Sequence, residues 1–202
     1  GAMGSDPEGA AQTLAKFQSE FFYAPRPDAR GYSDGASWEL GQARITAFHA
    51  PGHTAGHSVL VVEPEGVAFI GDIDLTGFGP YYGDAASSLT DFRATLARLP
   101  DIPAKVWVTS HHRGIYTDRE HFLADLAIFA GKLDERSERL MAMLDEGPKT
   151  LDALVARRLL YPPDFEASWV TGAETRTILR HLDELMTAGR VRADGEGVYR
   201  AA

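Results

Sequence analysis

Three apolar runs in this chain each lead into a histidine or a carboxylate, and that repetition constrains the fold more than any other feature. Arg44 to Phe48 enters His49-Ala50-Pro51-Gly52-His53-Thr54-Ala55-Gly56-His57, Ile70 is followed by Gly71-Asp72, and Val106-Trp107-Val108-Thr109 passes through Ser110 into His111-His112. A carboxylate at the end of a buried strand is costly unless it is paired, hydrogen-bonded or metal-bound. One histidine at a strand end is more often a hydrogen-bonded loop residue, so the repeat is the signal. Oxygen and nitrogen ligands converging from separate strand ends are what hard and borderline metals require. With no cysteine in the chain, a metal site has to use His, Asp or Glu, and disulfides, thiolate clusters and a cysteine nucleophile are excluded. His53 and His57 are four apart, a helical metal-pair spacing, but Pro51, Gly52 and Gly56 make the segment a tight loop. Only one of the two is expected to point into a site. His111 and His112 leave their strand toward opposite sides, so one of them at most is a ligand.

Periodicity supplies the frame around these segments. Leu14, Phe17, Phe21 and Phe22 recur at helical spacing between Pro7 and Tyr23, and Ala24 to Gly35 reads as a loop. Gly41-Gln42 is a hairpin turn between Trp38–Leu40 and Arg44–Phe48. Glu63-Pro64-Glu65-Gly66 joins Ser58–Val62 to Val67–Ile70, whose nearly continuous apolar content predicts burial on both faces. Leu89, Phe92, Leu96 and Leu99 mark a helix before the buried strand Lys105–Thr109. Thr117-Asp118-Arg119-Glu120 fits a capping box, opening a long helix that ends at Gly147-Pro148. Thr150 caps a short helix, Thr171-Gly172-Ala173-Glu174 is a second capping-box candidate, and Asp194-Gly195-Glu196-Gly197 turns a final hairpin. Helix, helix, helix, hairpin is the winged-helix order.

The order Pro51-Gly52-His53-Thr54-x-Gly56-His57, then Gly71-Asp72, then Ser110-His111 after a strand resembles the metallo-β-lactamase superfamily, in its glyoxalase II-like and lactamase-B2-like hydrolases. The resemblance covers roughly residues 36–130, and the last part of the chain is similar to the small winged-helix domain that follows some of these hydrolases. It implies an α/β fold, the αββα sandwich, of which this chain would hold the C-terminal part over residues 6–132, with a winged helix over 133–202. Gly1-Ala2-Met3-Gly4-Ser5 has the look of a tag remnant and is set aside. The implied metal ligands are His53, Asp72 as the bridge and His111. His57, Asp74 and His112 are expected to support them. Phe78, Tyr81, Tyr82 and Tyr116 follow the ligand loops, where a substrate pocket would be lined. The family's H-x-H-x-D-H motif, source of three more ligands and the water-orienting Asp, is absent, and residues 6–48 hold no histidine.

The resemblance therefore implies a metal-dependent hydrolase acting on an ester, thioester or lactone. It would use two zinc ions per complete site, with iron or manganese as alternatives. With three ligands, the 202-residue chain is expected to turn over poorly. The alternative is an incomplete or non-catalytic module that uses its winged helix for packing or dimerisation. The formal net charge is −9, and residues 133–202 carry ten Lys and Arg against thirteen Asp and Glu. Phosphate neutralisation needs the opposite balance, so nucleic-acid binding is not expected. No apolar run reaches the ~18 residues of a membrane span and no signal peptide is visible, which predicts a cytoplasmic protein. The missing half-sandwich predicts a homo-oligomer, or association with a chain supplying that half.

Overall fold

Alternation of side chains along the strands and two long amphipathic helices set the architecture of this computed structural model, which describes residues 11, 12, 14, 15, 18, 19, 24, 26–195 and 197–202. The chain divides into two units, residues 1–32 and 33–202. In the first, residues 11, 12, 14, 15, 18 and 19 are helical, and Arg26 pairs with Asp28 at 2.8 Å. Phe17, Phe21 and Phe22 of the expected helix lie outside the described residues.

The second unit opens with strands β1 (Ser37–Leu40), β2 (Ala43–His49), β3 (Ser58–Glu63) and β4 (Val67–Gly71). Gly41, at φ 69°, makes the first turn. Helix α1 (Leu89–Arg98) and a 3-10 turn (Leu99–Asp101) then carry the chain to β5 (Val106–Thr109), and β6 (Ile115–Tyr116) follows. The six strands form one sheet in sequence order, antiparallel except for β4 beside β5. A parallel pair needs a crossover, and α1 provides it.

Helix α2 (Arg119–Asp145) runs past the sheet and serves two cores. Its Phe122, Leu126, Phe129 and Leu133 pack with Phe92 and Leu96 of α1 and with Val59, Val61, Ile70 and Trp107 of the sheet. Phe122 stacks on Trp107 at 4.3 Å between ring centres. Farther along, Leu140 and Leu144 join Leu154, Ile178, Leu182 and Val191 in a second core. That core is built from β7 (Lys149–Thr150), α3 (Leu151–Ala156), α4 (Val170–Thr187), β8 (Val191–Ala193) and β9 (Val198–Ala201), with a small sheet in the order β7-β9-β8.

Burial of the main sheet on both faces is not what the structure shows. Val59, Val61, Ala68 and Ile70 are buried, but their neighbours Leu60, Val62 and Val67 are half-buried, and Phe69 is 39% and Ile115 67% exposed. The helices cover one face, so an apolar strand reads as alternating once its environment is known. Both capping boxes also differ. Asp118, not Thr117, caps α2, accepting from the His121 amide at 2.8 Å. Helix α4 starts at Val170, and Glu174 is fully buried, receiving the amides of Leu159, Leu160 and Tyr161 at 2.7–3.1 Å. Thr150 does cap α3, accepting from Ala153.

Candidate metal centre

Two glycines let the ligand loops close. A Cβ on Gly52 (φ 137°) would lie 2.4 Å from Phe92 of α1, and one on Gly71 (φ 59°) would lie 2.5 Å from His57 Nε2. His57 is buried, donates from Nδ1 to the Ala50 carbonyl at 3.0 Å and receives the Asp72 amide on Nε2 at 3.1 Å. Both ring nitrogens are therefore spent on backbone, and burial lowers the pKa of this imidazole, in keeping with a neutral ring. His57 thus ties the loop after β2 to the end of β4.

Asp72 follows β4 immediately and presents its two oxygens to two different histidines. His53 Nε2 is 3.5 Å from Oδ2, and His111 Nε2 is 2.9 Å from Oδ1. His53 donates from Nδ1 to the Tyr81 carbonyl at 3.0 Å, so in the neutral ring the lone pair sits on the nitrogen that faces Asp72. His111 is held from below: Ser110 N–H bonds the Gly71 carbonyl, and Thr109 Oγ1 donates to the His111 carbonyl at 2.8 Å. Among the described residues, no three His, Cys, Asp or Glu side chains form a group that could hold a metal ion. The structure brings His53, Asp72 and His111 together, each imidazole facing its own carboxylate oxygen.

These residues line a cavity of about 450 Å³ together with Asp74, Phe78, Gly79, Tyr81, His112, Tyr161 and Trp169. Asp74 accepts from the amide and hydroxyl of Thr76, and His112 adopts φ 62° beside His111. Two expected pocket residues are elsewhere. Tyr82 is fully buried with its hydroxyl 2.6 Å from His181 Nε2, and Tyr116 is buried with its hydroxyl on Asp125. Tyr82 points into the core shared with α2 and α4, and Tyr116 sits on the sheet face covered by α2, against Phe122. Tyr161 and Trp169, by contrast, went unnoticed in the sequence. Their signal was a run of large aromatics, Tyr161, Phe165 and Trp169, in the loop that holds Pro162 and Pro163.

The loop after Asp72 is fastened by arginines from the trailing helices. Arg136 of α2 donates to the carbonyls of Phe78 and Pro80, each at 2.6 Å. Arg180 of α4 donates to those of Tyr82 and Asp84 at 2.6 Å, and Arg176 to that of Gly83. The Tyr81 carbonyl, in the middle of this series, is the one that orients His53. Burial first, and Asp84 second, push the Tyr81 phenol up to about 12, so it remains a neutral donor, bonded to Asp84 at 3.2 Å.

The family model described as the metallo-beta-lactamase superfamily matches residues 6–111, more than half of the chain. The chain belongs to this superfamily. It is 32% identical over 87 residues to an atrochrysone carboxyl ACP thioesterase of Pseudocercospora fijiensis, covering 43% of this chain and 25% of that protein. It is 31% identical over 104 residues to a hydroxyacylglutathione hydrolase of Maricaulis maris, covering 48% and 41%. The chain thus spans well under half the length of these curated relatives. A metallo-beta-lactamase family protein from Thermus thermophilus superposes over 98% of this chain and 66% of its own, with a TM-score of 0.67 and 27% identity. A beta-lactamase domain protein from Burkholderia ambifaria shares the fold at a TM-score of 0.68 and 19% identity, over 96% and 60% of the two chains. Both superpositions extend through the trailing helices, beyond the region matched by the family model.

Proposed function

We propose that this metallo-beta-lactamase superfamily chain carries one side of a two-metal hydrolase centre, in which His53, Asp72 and His111 would hold the metal. The observation that carries this is one carboxylate offering each oxygen to a different imidazole in the lining of a cavity. Two imidazoles and a carboxylate suit zinc, and also iron or manganese. Three donors are too few for two metals, so the remaining ligands would come from residues other than these. Metal held there would supply a Lewis acid and an acidified water. The chain's own contribution is to hold His53 in one tautomer through the Tyr81 carbonyl. His57 fixes Asp72 through its amide, and Phe78, Tyr161 and Trp169 shield the acyl part of the substrate from water.

The substrate we favour is a thioester, within a wider class of esters and lactones, because one relative is named a thioesterase and another a hydroxyacylglutathione hydrolase. We read the trailing helices and three-stranded sheet as a winged helix used for packing. Supporting this, Arg176 and Arg180 of α4 donate to the Gly83, Tyr82 and Asp84 carbonyls, which packs that helix against the loop beside the site. Zinc titration by calorimetry tests the metal reading. The 202-residue chain should take up zinc weakly, and His53→Ala, Asp72→Ala and His111→Ala should each weaken uptake about tenfold or more. Uptake indifferent to Asp72→Ala would refute Asp72 as a ligand and favour a non-catalytic module.

A further inference from the structure

On the other side of the Phe78–Tyr161 pair, whose rings are 5.5 Å apart, lies a second cavity of about 360 Å³ with a different chemistry. Lys132, Arg136, Arg139, Arg157 and Arg158 line it, against the single acidic residue Glu135. Five cations around one cavity are unexpected in a chain of net charge −9. Lys132 is neutralised by Glu135 at 2.6 Å, and Arg157 by Glu146. The other three donate to uncharged oxygens. Arg136 takes the Phe78 and Pro80 carbonyls, Arg139 those of Leu159 and Arg158, and Arg158 that of Phe165. Among the described residues no carboxylate forms an ion pair with Arg136, Arg139 or Arg158. The carbonyl bonds fix the guanidinium groups without cancelling their charge, which is how an anion site is pre-organised.

We propose that this cavity binds a phosphate group of the substrate, so that the hydrolase acts on an acyl thioester whose thiol carrier is phosphorylated. The inference rests on the reading of the neighbouring cavity as the reaction site. Phe78 and Tyr161 line both cavities, which lets one extended molecule place its acyl end beside Asp72 and its phosphate among the arginines. A small phosphorylated carrier fits better than a nucleic acid. The cations surround a single cavity instead of forming the stripe that tracks a polyphosphate backbone.

The test uses the 202-residue chain without added metal and measures the dissociation constants of coenzyme A, of pantetheine, which has the same thiol arm without phosphate, and of an oligouridylate. Coenzyme A should bind at least about tenfold tighter than pantetheine, the value of one charge-assisted contact. Arg158→Gln and Arg139→Gln should each remove most of that advantage and leave pantetheine unchanged. Lys132→Glu, outside both cores, adds negative charge to the cavity and should reduce it in a protein whose fold is not at risk. Equal binding of coenzyme A and pantetheine, an advantage untouched by all three variants, or a preference for the oligouridylate each overturns the proposal. Zinc titration of the same sample separates the two readings. Phosphate selectivity without zinc uptake leaves this site standing and removes the metal reading, whereas zinc uptake without phosphate selectivity does the reverse.

Discussion

His181 shows how much a single buried side chain can report. It is fully buried between Tyr82 and Ser137, and burial, followed by the charges of Arg136 and Arg93, pushes its pKa down to about 3. An unfolded histidine titrates near 6.5, so between pH 6.5 and about 3 the unfolded chain binds the extra proton and stability falls as pH falls. The expected loss approaches about 1.4 kcal/mol per pH unit in that window. Urea unfolding at pH 4.5 and 7 measures it, and His181→Gln should flatten the slope; an unchanged slope would refute the assignment. Gly71 is a second such residue. Gly71→Ala would force an L side chain into left-handed backbone at about 1–2 kcal/mol and drive its methyl into His57. Thermal melting should fall and zinc uptake should be lost together.

At the scale of elements, the decisive contact is between α4 and the loop from Phe78 to Asp84. Removing Arg180 leaves the Tyr82 and Asp84 carbonyls without that donor, a cost of about 1–3 kcal/mol if they stay dry. Arg180→Ala should therefore speed hydrogen exchange at residues 78–84 while β3 and β4 keep their protection. Uniform loss of protection would instead mean that the arginine holds the whole fold. The arginines of α4 hold the loop beside the candidate site. Their role depends on what faces them, which periodicity does not encode.

For the whole molecule, the main sheet carries an apolar face away from α1 and α2. Paired across the strands on that face are Leu60, Phe69, Val108 and Ile115 in one row, and Ile45, Val62, Val67 and Val106 in the next. Phe69 and Ile115 remain 39% and 67% exposed. A contiguous apolar patch on a sheet is a surface for association. We expect the 202-residue chain to self-associate, or to fold alongside a chain that covers this face. Light scattering on purified material should give a mass above the 22.0 kDa of one chain, and a monodisperse monomer with cooperative unfolding would refute the expectation.

Local sequence was enough for the hairpins at Gly41-Gln42 and Glu63–Gly66, for helices α1 and α2, and for the strand-end positions of His53, Asp72 and His111, which the structure brings together, because turn chemistry, periodicity and strand-end polarity are properties of neighbouring residues. The two-residue strands β6 and β7, too short to show a period, escaped it. So did the placement of Tyr82 and Tyr116 in the core, of Tyr161 and Trp169 at the cavity, and of Glu174 beneath the amides of residues 159–161. Several long-range contacts escaped it because the partner lies far along the chain: Tyr82 with His181, Tyr161 with Phe78, Arg180 with Asp84. The free energy of such contacts comes from desolvation and geometry that exist once α2 has brought the two cores together, and no window of local sequence contains both partners.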